Sequence, residues 1–319
     1  MKDTVLVMLL EAEGDYISGQ LVSRELGISR AAVWKYIQAL KNEGYIIEGV
    51  PHRGYRLAAS PDFLYPVELQ HGLSTCLIGK EIHRYEFLTS TNEEARRLAD
   101  EGAREGTVVI AEKQTAGKGR MGRSWFSPPG GVWLSLILRP DFQPLRAAGI
   151  TLMGAVACAE ALRETEGVEA RIKWPNDILV DGGKVCGILT EMKADMDRME
   201  YIVMGLGINA NIDPRELRTV SPGACSLSAV VGHTVDRKQL TRVVLEKLEK
   251  YYLLFPEDTG PVLGAWKKMT CTLGRAVTLL EGDRRYTGNA RDITPDGGLV
   301  LDLDSGEAKV FYSGEVTSG

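Results

Sequence analysis

The stretch GKGRMG at residues 117–122 matches the G-x-G-x-x-G pattern of dinucleotide-binding turns, and it follows GTVVIAEKQ, a run typical of a β-strand. In that motif the glycines open a helix whose N-terminus receives a pyrophosphate. Here the chain continues as RSWFSPPGGVWLSLIL, whose prolines, glycines and β-type run cannot begin a helix. A near-copy, GLGINA at residues 205–210, is followed by NIDP, which also stops a helix. The sequence therefore argues against dinucleotide binding at both places.

Extended to Arg123, the same loop carries three cations, Lys118, Arg120 and Arg123, among its glycines. Cations on a mobile glycine backbone suit a polyphosphate or a carboxylate, and a solvated basic surface loop is the alternative. The loop is not a Walker A loop, because no Gly-Lys pair is followed by Ser or Thr. Polar and aromatic residues nearby or further along the sequence favour a binding site: Gln114, Trp125, Phe126, Asn176, Asp177 and Lys184.

The composition limits the class of protein to which the chain can belong and the cellular compartment expected for it. The chain has 319 residues, 44% of them hydrophobic, which is enough for two or three folded domains. A formal net charge of −5 gives no general attraction to nucleic acid, so any basic surface must be local. The five cysteines form no C-x-x-C pair and the four histidines are scattered, which predicts free thiols and no metal site. With no signal-peptide pattern and no apolar run of about 18 residues, we expect a cytoplasmic protein without a membrane partner.

The pattern along the chain predicts an α+β protein of three parts. Residues 1–60 are mostly helical in period, and the small residues and proline at 58–62 indicate a linker. Strands and helices alternate over residues 63–269, where Thr91 and Glu94 have the spacing of a capping box. From residue 270 to residue 319, short alternating runs separated by turns indicate a small β-barrel-like unit.

Residues 18–47 predict a helix-turn-helix, with a turn at Gly27 and Ser29 as the N-cap of the second helix. On that helix Val33, Ile37 and Leu40 share one face and should pack inward. We expect the outward residues to contact DNA, together with Arg53 in a two-stranded wing around residues 51–54: Ser29, Arg30, Ala31, Trp34, Lys35 and Gln38. Five basic residues against two acidic ones over residues 29–56 support phosphate contact, and a helical domain that mediates only protein contacts is the alternative.

Six motifs spread over nearly the whole chain carry a resemblance to a known family: TSTNEEA, AEKQTAGKGRMGRSWFSPPGG, KWPNDI, KVCGILTE, GLGINAN and SGEV. The chain resembles the bacterial biotin protein ligases that also act as transcriptional repressors of biotin synthesis. The resemblance implies an N-terminal winged helix-turn-helix, a central mixed α/β domain of the biotin/lipoate ligase type and a C-terminal SH3-like β-barrel. It also implies that biotin and ATP form biotinyl-5′-adenylate, from which biotin passes to one lysine of a carboxylase carrier domain.

The resemblance further assigns roles to individual residues. Lys184 and Arg120 would be catalytic, with Asp177 a candidate base or metal contact, unless it is simply a turn residue. Biotin would be bound by Ser90, Thr91, Asn92, Gln114, Lys118, Gly119, Arg120, Lys184 and Gly187. ATP would be bound by Arg120, Arg123, Trp125, Asn176, Lys184 and Asn209. The family's loop usually begins Gly-Arg-Gly-Arg, so Lys118 keeps the charge of the usual arginine but loses its bidentate fork.

The implied partners are Mg²⁺ with ATP, a biotin carboxyl carrier protein, operator DNA and, in the adenylate-bound state, a second copy of the chain. We expect MEYIVMGLGIN, residues 199–209, to form an apolar edge strand that pairs with its copy in a homodimer. Three other functions stay open: a repressor that binds biotin without ligating it, a ligase whose N-terminal part binds no DNA, and a lipoate ligase. Arg120 and Lys184 argue against the first, the outward basic residues against the second, and GKGRMGR against the third.

Overall fold

The computed structural model describes residues 1–195, 198–255 and 257–318, and these residues divide after Gly72 into two compact units. Helices and strands occur in both units, which confirms the predicted α+β class. The predicted divisions at residues 60–63 and 269–270 stay predictions. Within the described residues, no helix combines the length and the apolar character needed to cross a membrane.

The first unit, all of whose residues are described, contains four helices and a two-stranded antiparallel sheet. Its elements are α1 (Lys2–Glu11), α2 (Gly19–Leu26), α3 (Arg30–Asn42), β1 (Ile46–Val50), β2 (Gly54–Ala59) and α4 (Pro66–Gln70).

The predicted helix-turn-helix is confirmed, and each of its helices begins at a serine cap. Ser18 Oγ accepts a hydrogen bond from the backbone N–H of Leu21 at 3.0 Å, and Ser29 Oγ accepts one from Ala32 at 3.1 Å. Between α2 and α3, Gly27 adopts a φ of 64°, the left-handed conformation that ends many helices. Local sequence rules therefore account for both helix starts and for the turn.

The inward face of α3 and the wing share one core. Val33, Ile37 and Leu40 are buried as predicted, in a hydrophobic cluster with residues of α1 and α2. Gly54 has a φ of 106°, and a Cβ there would lie 2.0 Å from the carbonyl oxygen of Ile17. The wing can therefore approach the segment between α1 and α2 closely only with glycine at this position.

The second unit has six α-helices and two sheets among its described residues. Its first part contains β3 (Ile82–Leu88), α5 (Thr91–Asp100), β4 (Val108–Gln114), β5 (Val132–Leu138), α6 (Ala147–Glu166), β6 (Arg171–Lys173), β7 (Asp177–Val180), β8 (Gly183–Asp195), β9 (Arg198–Ile208), α7 (Pro214–Val220), α8 (Leu227–Val231), α9 (Arg237–Tyr252) and α10 (Gly260–Met269). The C-terminal strands are β10 (Ala276–Glu281), β11 (Arg284–Ile293), β12 (Leu299–Leu303), β13 (Ala308–Phe311) and β14 (Glu315–Ser318).

The larger sheet has seven strands in the order β3-β4-β5-β9-β8-β7-β6. β3 and β4 are parallel, and the other neighbouring pairs are antiparallel. α5 packs on the face that carries Val109 and Val203, whereas Gly154 of α6 faces Ile188 and Met204. Successive residues of a strand point to opposite faces, so Val203 and Met204 show that helices cover both sides. Because both faces are covered, β5 is buried at all seven of its positions.

The expectation that residues 199–209 form an edge strand is wrong. Residues 199–208 belong to β9, which is hydrogen-bonded to β5 on one side and to β8 on the other. The run is apolar because both faces of the sheet are covered, and a sequence pattern does not distinguish a covered interior strand from an apolar edge. Among the described residues, the outer strands of this sheet are β3 and β6.

Thr91 and Glu94 do not form the predicted capping box. Ser90 is the N-cap of α5 and makes no side-chain capping bond, while Thr91 is the first helical residue. Glu94 accepts a hydrogen bond from Tyr85 at 2.6 Å and pairs with Arg97. Glu94 therefore bonds to Tyr85 and Arg97 instead of capping α5 as the local pattern had predicted.

The C-terminal strands form a five-stranded antiparallel sheet in the order β13-β12-β11-β10-β14, as the turn-rich pattern predicted. The last strand, β14, pairs with β10, the first strand of this sheet in sequence, rather than with its sequence neighbour β13. This return places residues 314–316 at the rim of the cavity described below.

Glu249 of α9 anchors the segment that opens the second unit. Its carboxylate accepts hydrogen bonds from the backbone N–H groups of Cys76 at 2.6 Å, Leu77 at 2.7 Å and Ile78 at 2.7 Å. The residue is 6% exposed. Burial raises the pKa of Glu249, but the three backbone hydrogen bonds outweigh burial, and the pKa lies below its ordinary value.

We predict that Glu249→Gln lowers the free energy of unfolding by about 1–3 kcal/mol near neutral pH, because the amide offers one oxygen to three N–H donors. The folded-state pKa is lowered, so the carboxylate stabilises the fold fully above its unfolded pKa and loses this effect as pH falls through the folded pKa. The difference between wild type and variant in denaturant unfolding should therefore shrink below pH 4.5.

Glu246→Gln is the matched control, because Glu246 accepts one backbone hydrogen bond, from Ser74 at 2.9 Å. Equal losses in the two variants, or a difference that does not change with pH, would contradict the role assigned to Glu249.

Candidate active site

The second unit contains a cavity of about 260 Å³ that brings together the residues expected to bind biotin and ATP. It lies where the start of α5, the glycine loop (residues 117–123), strands β7–β9 and the C-terminal sheet meet. All the ligase residues expected from the sequence line it: Ser90, Thr91, Asn92, Gln114, Lys118, Gly119, Arg120, Arg123, Trp125, Asn176, Asp177, Lys184, Gly187 and Asn209. The fold therefore places motifs that are far apart in sequence around one space.

Hydroxyl and amide groups line one part of the cavity. Ser90, Thr91 and Asn92 lie at the N-terminus of α5 and are 3–4% exposed. Gln114 ends β4, where its Oε1 accepts from the Thr91 N–H at 2.7 Å and its Nε2 donates to Ser127 Oγ at 2.8 Å. Because these buried groups are bonded to one another, they present donors and acceptors in fixed directions to a ligand.

A glycine on β9 makes room for Asn92. A Cβ at Gly205 would lie 2.2 Å from Asn92 Oδ1. Ser135, opposite Gly205 in the register of β5 and β9, contacts the same oxygen at 2.6 Å. Sequence reasoning missed Ser135, for which the available signal was one polar residue inside the apolar strand VWLSLIL.

The indole of Trp125 lies over two strand glycines. A Cβ would come within 2.7 Å of the ring at Gly187 and within 2.5 Å of Nε1 at Gly207. Lys184 Nζ lies 5.0 Å from the ring centroid, within the range of a cation–π interaction. Trp125 Nε1 is buried and has no hydrogen-bond partner among the described residues. Trp125 thus forms an aromatic wall of the cavity that carries an unused donor.

Arg120 and Lys184 bring positive charge into the cavity. Arg120 donates to Asn176 Oδ1 at 3.1 Å and to the carbonyl oxygen of Gly314 at 3.2 Å. Lys184 Nζ lies 2.6 Å from Asp177 Oδ1. Burial lowers the pKa of Arg120, with the Asp177 charge opposing that shift, and an arginine stays protonated in proteins. The two cations are therefore held in place and suited to an anionic ligand.

The other two cations of the glycine loop pair with carboxylates at the rim. Lys118 Nζ lies 2.6 Å from Glu93 Oε1, and Arg123 donates through both terminal nitrogens to Glu315, at 3.1 Å for one contact. The hydrogen bonds from Arg123 hold the pKa of Glu315 below its ordinary value. Sequence reasoning missed both partners: Glu315 lies in the SGEV motif, but no local signal links it to a residue 192 positions earlier.

Asn209 carries a buried oxygen that lacks a donor. The residue is 1% exposed, and its Nδ2 donates to the carbonyl oxygens of Lys184 at 3.4 Å and Cys225 at 3.3 Å. Its Oδ1 has no partner among the described residues. A buried acceptor without a donor is destabilising, so this atom marks a position for a ligand donor.

In the first unit, most of the surface predicted to contact DNA is exposed. Gln38 is half-buried, and the remaining residues of the set are exposed: Ser29, Arg30, Ala31, Trp34, Lys35 and Arg53. Arg53 stacks over the ring of Tyr16 at 4.4 Å, whereas Arg56 pairs with Glu48 at 2.7 Å. The positive charge of the wing therefore depends on Arg53, because Glu48 neutralises Arg56.

Among the described residues, no group of three or more His, Cys, Asp and Glu side chains could hold a metal ion. The five cysteines are free thiols, as predicted, and a hydrogen bond with Cys158 together with burial raises the pKa of Cys186.

Three family descriptions match successive parts of the chain. Residues 2–56 match an HTH domain, residues 85–209 match the Biotin/lipoate A/B protein ligase family, and residues 272–317 match the Biotin protein ligase C terminal domain. The order of these matches is the order of the three predicted parts. The fold and the cavity are therefore those of a biotin or lipoate protein ligase that carries a helix-turn-helix domain.

Comparison with individual proteins distinguishes between a biotin ligase and a lipoate ligase. The Bifunctional ligase/repressor BirA of Bacillus subtilis is 38% identical over 100% of this chain and 99% of its own length. The BirA of Escherichia coli is 33% identical over 99% and 98%. The structure of a biotin protein ligase from Aquifex aeolicus in complex with biotin and ATP is 29% identical, with a TM-score of 0.63 over 75% of this chain and 98% of that one. The chain belongs to the bifunctional biotin ligase/repressor family.

Proposed function

We propose that the second unit activates biotin with ATP and transfers it to one lysine of a biotin carboxyl carrier protein, while the first unit binds operator DNA. The observation that carries this proposal is one cavity that combines buried hydroxyl and amide groups, an aromatic wall and fixed cations. Biotin offers a urea ring, an apolar tail and a carboxylate, and ATP offers a purine and phosphates. Each of these chemical groups has a matching partner in the cavity.

In the activation step, a carboxylate oxygen of biotin attacks the α-phosphorus of ATP and pyrophosphate leaves. Negative charge develops between the carboxylate and the α-phosphate, and we assign its stabilisation to Lys184 and Arg120, where fixed cations contribute several kcal/mol. The carboxylate of biotin is already ionised, so this step requires no general base. We therefore assign Asp177 to positioning Lys184, which lies 2.6 Å away.

The biotin ring belongs at the hydroxyl and amide groups of Ser90, Thr91 and Gln114, with Asn92 beside them and Gly187 in the same cavity lining. The biotin carboxylate then points toward Gly119 and Arg120. Lys118 contributes at the rim in this arrangement, because its ammonium group is engaged by Glu93.

The adenine of ATP belongs against Trp125, and Asn209 supports this placement. The amide of Asn209 donates to two backbone carbonyls, so its orientation is fixed and only Oδ1 is left for the ligand. The 6-amino group of adenine would donate to that oxygen, whereas guanine would present a carbonyl oxygen to it. We assign Asn176 and Arg123 to the phosphate side of the same ligand.

Magnesium enters the proposal with ATP. A magnesium ion on nucleotide phosphates keeps most of its waters and takes few protein ligands, which fits a chain whose described residues form no carboxylate cage. Asp177 is a cavity carboxylate that could approach it. When bound, the ion would neutralise charge on the departing pyrophosphate.

In the transfer step, the amine of the carrier lysine attacks the acyl carbon of the adenylate, and AMP leaves. The adenylate is a mixed anhydride that water also attacks, so its lifetime depends on enclosure. The ion pairs Lys118–Glu93 and Arg123–Glu315 connect the glycine loop to α5 and to the C-terminal sheet. We assign these pairs to closing the loop over the intermediate.

Pyrophosphate release measured with ATP and either biotin or lipoate tests the ligase proposal. We expect biotin-dependent release, and biotin on a carrier lysine once the carrier protein is added. Release with lipoate alone, or biotin binding without any release, would overturn it in favour of a lipoate ligase or a non-catalytic biotin sensor.

Lys184→Ala removes a charge that matters more in the transition state than in the ground state. The rate of pyrophosphate release should therefore fall by about 10² or more, with a smaller loss of biotin affinity. Lys193→Ala is the control, since Lys193 lies on the same strand but pairs with Asp100 outside the cavity. Near-normal turnover in Lys184→Ala would remove Lys184 from the mechanism.

We also propose that the adenylate-bound chain forms a homodimer that presents two helix-turn-helix units to a two-fold operator. Because β9 has no free edge, this strand cannot form the dimer interface by pairing with its copy. We expect the adenylate to order the glycine loop instead, and this ordering would lower the entropy cost of forming an interface. We place ligation and repression in the cytoplasm, where ATP, the carrier protein and chromosomal DNA occur together.

Biotin with ATP should strengthen both dimerisation and operator binding, by a coupling of about 1–3 kcal/mol. Sedimentation and operator titration, each with and without the two ligands, measure it. Arg53→Ala should weaken operator binding and leave pyrophosphate release unchanged, because Arg53 lies in the first unit. If the ligands change neither the dimer constant nor the operator affinity, the regulatory proposal is wrong.

A further inference from the structure

At the polar end of the cavity and behind it, five residues form a chain of hydrogen bonds whose direction is fixed at one end: Glu191, Asn92, Ser135, Thr91 and Gln114. The link to Gln114 is made by the backbone N–H of Thr91, and the other links are between side chains. Glu191 forms an ion pair with Arg96 at 3.5 Å, and a carboxylate in an ion pair only accepts hydrogen bonds. Asn92 therefore directs its Nδ2 to Glu191 Oε2 at 2.7 Å. Its Oδ1 is then left facing Ser135 Oγ at 2.6 Å.

The orientation of the Asn92 amide also decides which acceptors the hydroxyl groups of Ser135 and Thr91 donate to. Because Asn92 Oδ1 only accepts, the single proton of Ser135 goes to it. Ser135 Oγ also lies 2.8 Å from Thr91 Oγ1, and this contact is a hydrogen bond only if Thr91 is the donor. The proton of Thr91 is then used, so none is left for the 3.1 Å contact between Thr91 Oγ1 and Gln114 Oε1.

Two acceptor positions result from this arrangement. Gln114 Oε1 accepts from the backbone N–H of Thr91 at 2.7 Å and keeps a second lone pair. Thr91 Oγ1 donates to Ser135 and keeps its own lone pairs. Both residues line the cavity, so both oxygens are available to donors on a ligand.

We infer that this relay sets the polar end of the cavity to accept hydrogen bonds from the ring N–H groups of biotin, with Ser135 and Glu191 as positioning residues. The inference rests on the proposed function. A urea ring has two N–H donors beside its carbonyl, and the relay supplies oxygen acceptors for them. Without Ser135, the Thr91 hydroxyl turns to Gln114 Oε1 and fills the lone pair that a ligand N–H would use.

The location of Ser135 excludes direct contact with the ligand. Ser135 is fully buried in the middle of β5 and does not line the cavity. A buried hydroxyl is destabilising unless it is hydrogen-bonded, and both of its bonds go to residues that do line the cavity. Ser135 therefore acts through Thr91 and Asn92.

Ser135→Ala tests the relay in the full chain. We expect the dissociation constant of biotin, measured by calorimetry without ATP, to rise about tenfold to a hundredfold. The KM for ATP and the kcat for pyrophosphate release at saturating biotin should stay within about twofold, because the relay does not reach the nucleotide. Ser226→Ala is the matched control: it removes another fully buried hydroxyl, bonded to Ala210 O at 2.8 Å, and should leave biotin affinity unchanged.

A biotin analogue methylated on one ring nitrogen gives a second readout, which a general loss of packing would not change. The analogue lacks a donor, so the wild type should prefer biotin strongly, and Ser135→Ala should reduce this preference because its acceptors are no longer oriented. Three results for Ser135→Ala would overturn the relay: an unchanged preference for biotin over the analogue, an unchanged dissociation constant for biotin, or a higher KM for ATP together with a lower kcat. If only the relay is wrong, the wild type still forms the adenylate. If the wild type binds no biotin, the proposed function is wrong as well as the relay.

Discussion

The wall of the cavity depends on three positions on two neighbouring strands that carry no side chain. Gly187 and Gly207 face each other in the register of β8 and β9, and Trp125 lies over both, while Asn92 fills the space over Gly205. A Cβ at any of the three would come closer than 3.0 Å to those side chains, which is not sterically allowed. The aromatic wall and the orientation of Asn92 both depend on this absence of side chains.

The same glycines show what a motif does and does not determine. The sequence correctly indicated that GLGINA is not a dinucleotide-binding turn, because no helix follows it. In the structure both of its glycines lie near the end of β9, an interior strand. Their role is to leave room for side chains that come from α5 and from the glycine loop. Such a role depends on a close approach between distant segments, so spacing along the sequence does not reveal it.

Local chemistry predicted the first unit well and the second unit less completely. The serine caps, Gly27 and the inward face of α3 follow from interactions within a few residues. The position of β9 in the sheet and the pairing of Arg123 with Glu315 depend on contacts between distant parts of the chain. The membership of the cavity was predicted through family resemblance, whereas Ser135, Glu93 and Glu315 became apparent only when the strands and the loop were seen together.

The paired cations of the glycine loop also explain how a basic loop can exist without a ligand. Lys118 and Arg123 are neutralised by Glu93 and Glu315 at the exposed rim, where ion pairs are weak and exchangeable. Arg120 is held instead by neutral oxygens of Asn176 and Gly314, so its charge is not cancelled by direct contact. The loop thus keeps its strongest attraction for anions at half-buried Arg120.

The contacts of Gly314 and Glu315 with the loop have a consequence for the order of events during synthesis. Arg120 and Gly314 are 194 positions apart, so the ribosome has made the helix-turn-helix and most of the larger sheet before the last wall of the cavity exists. At about 5–20 residues per second, the first unit can fold roughly 10–50 s before that wall emerges. A nascent chain therefore completes its helix-turn-helix unit well before it can complete the cavity in which we propose that the adenylate forms.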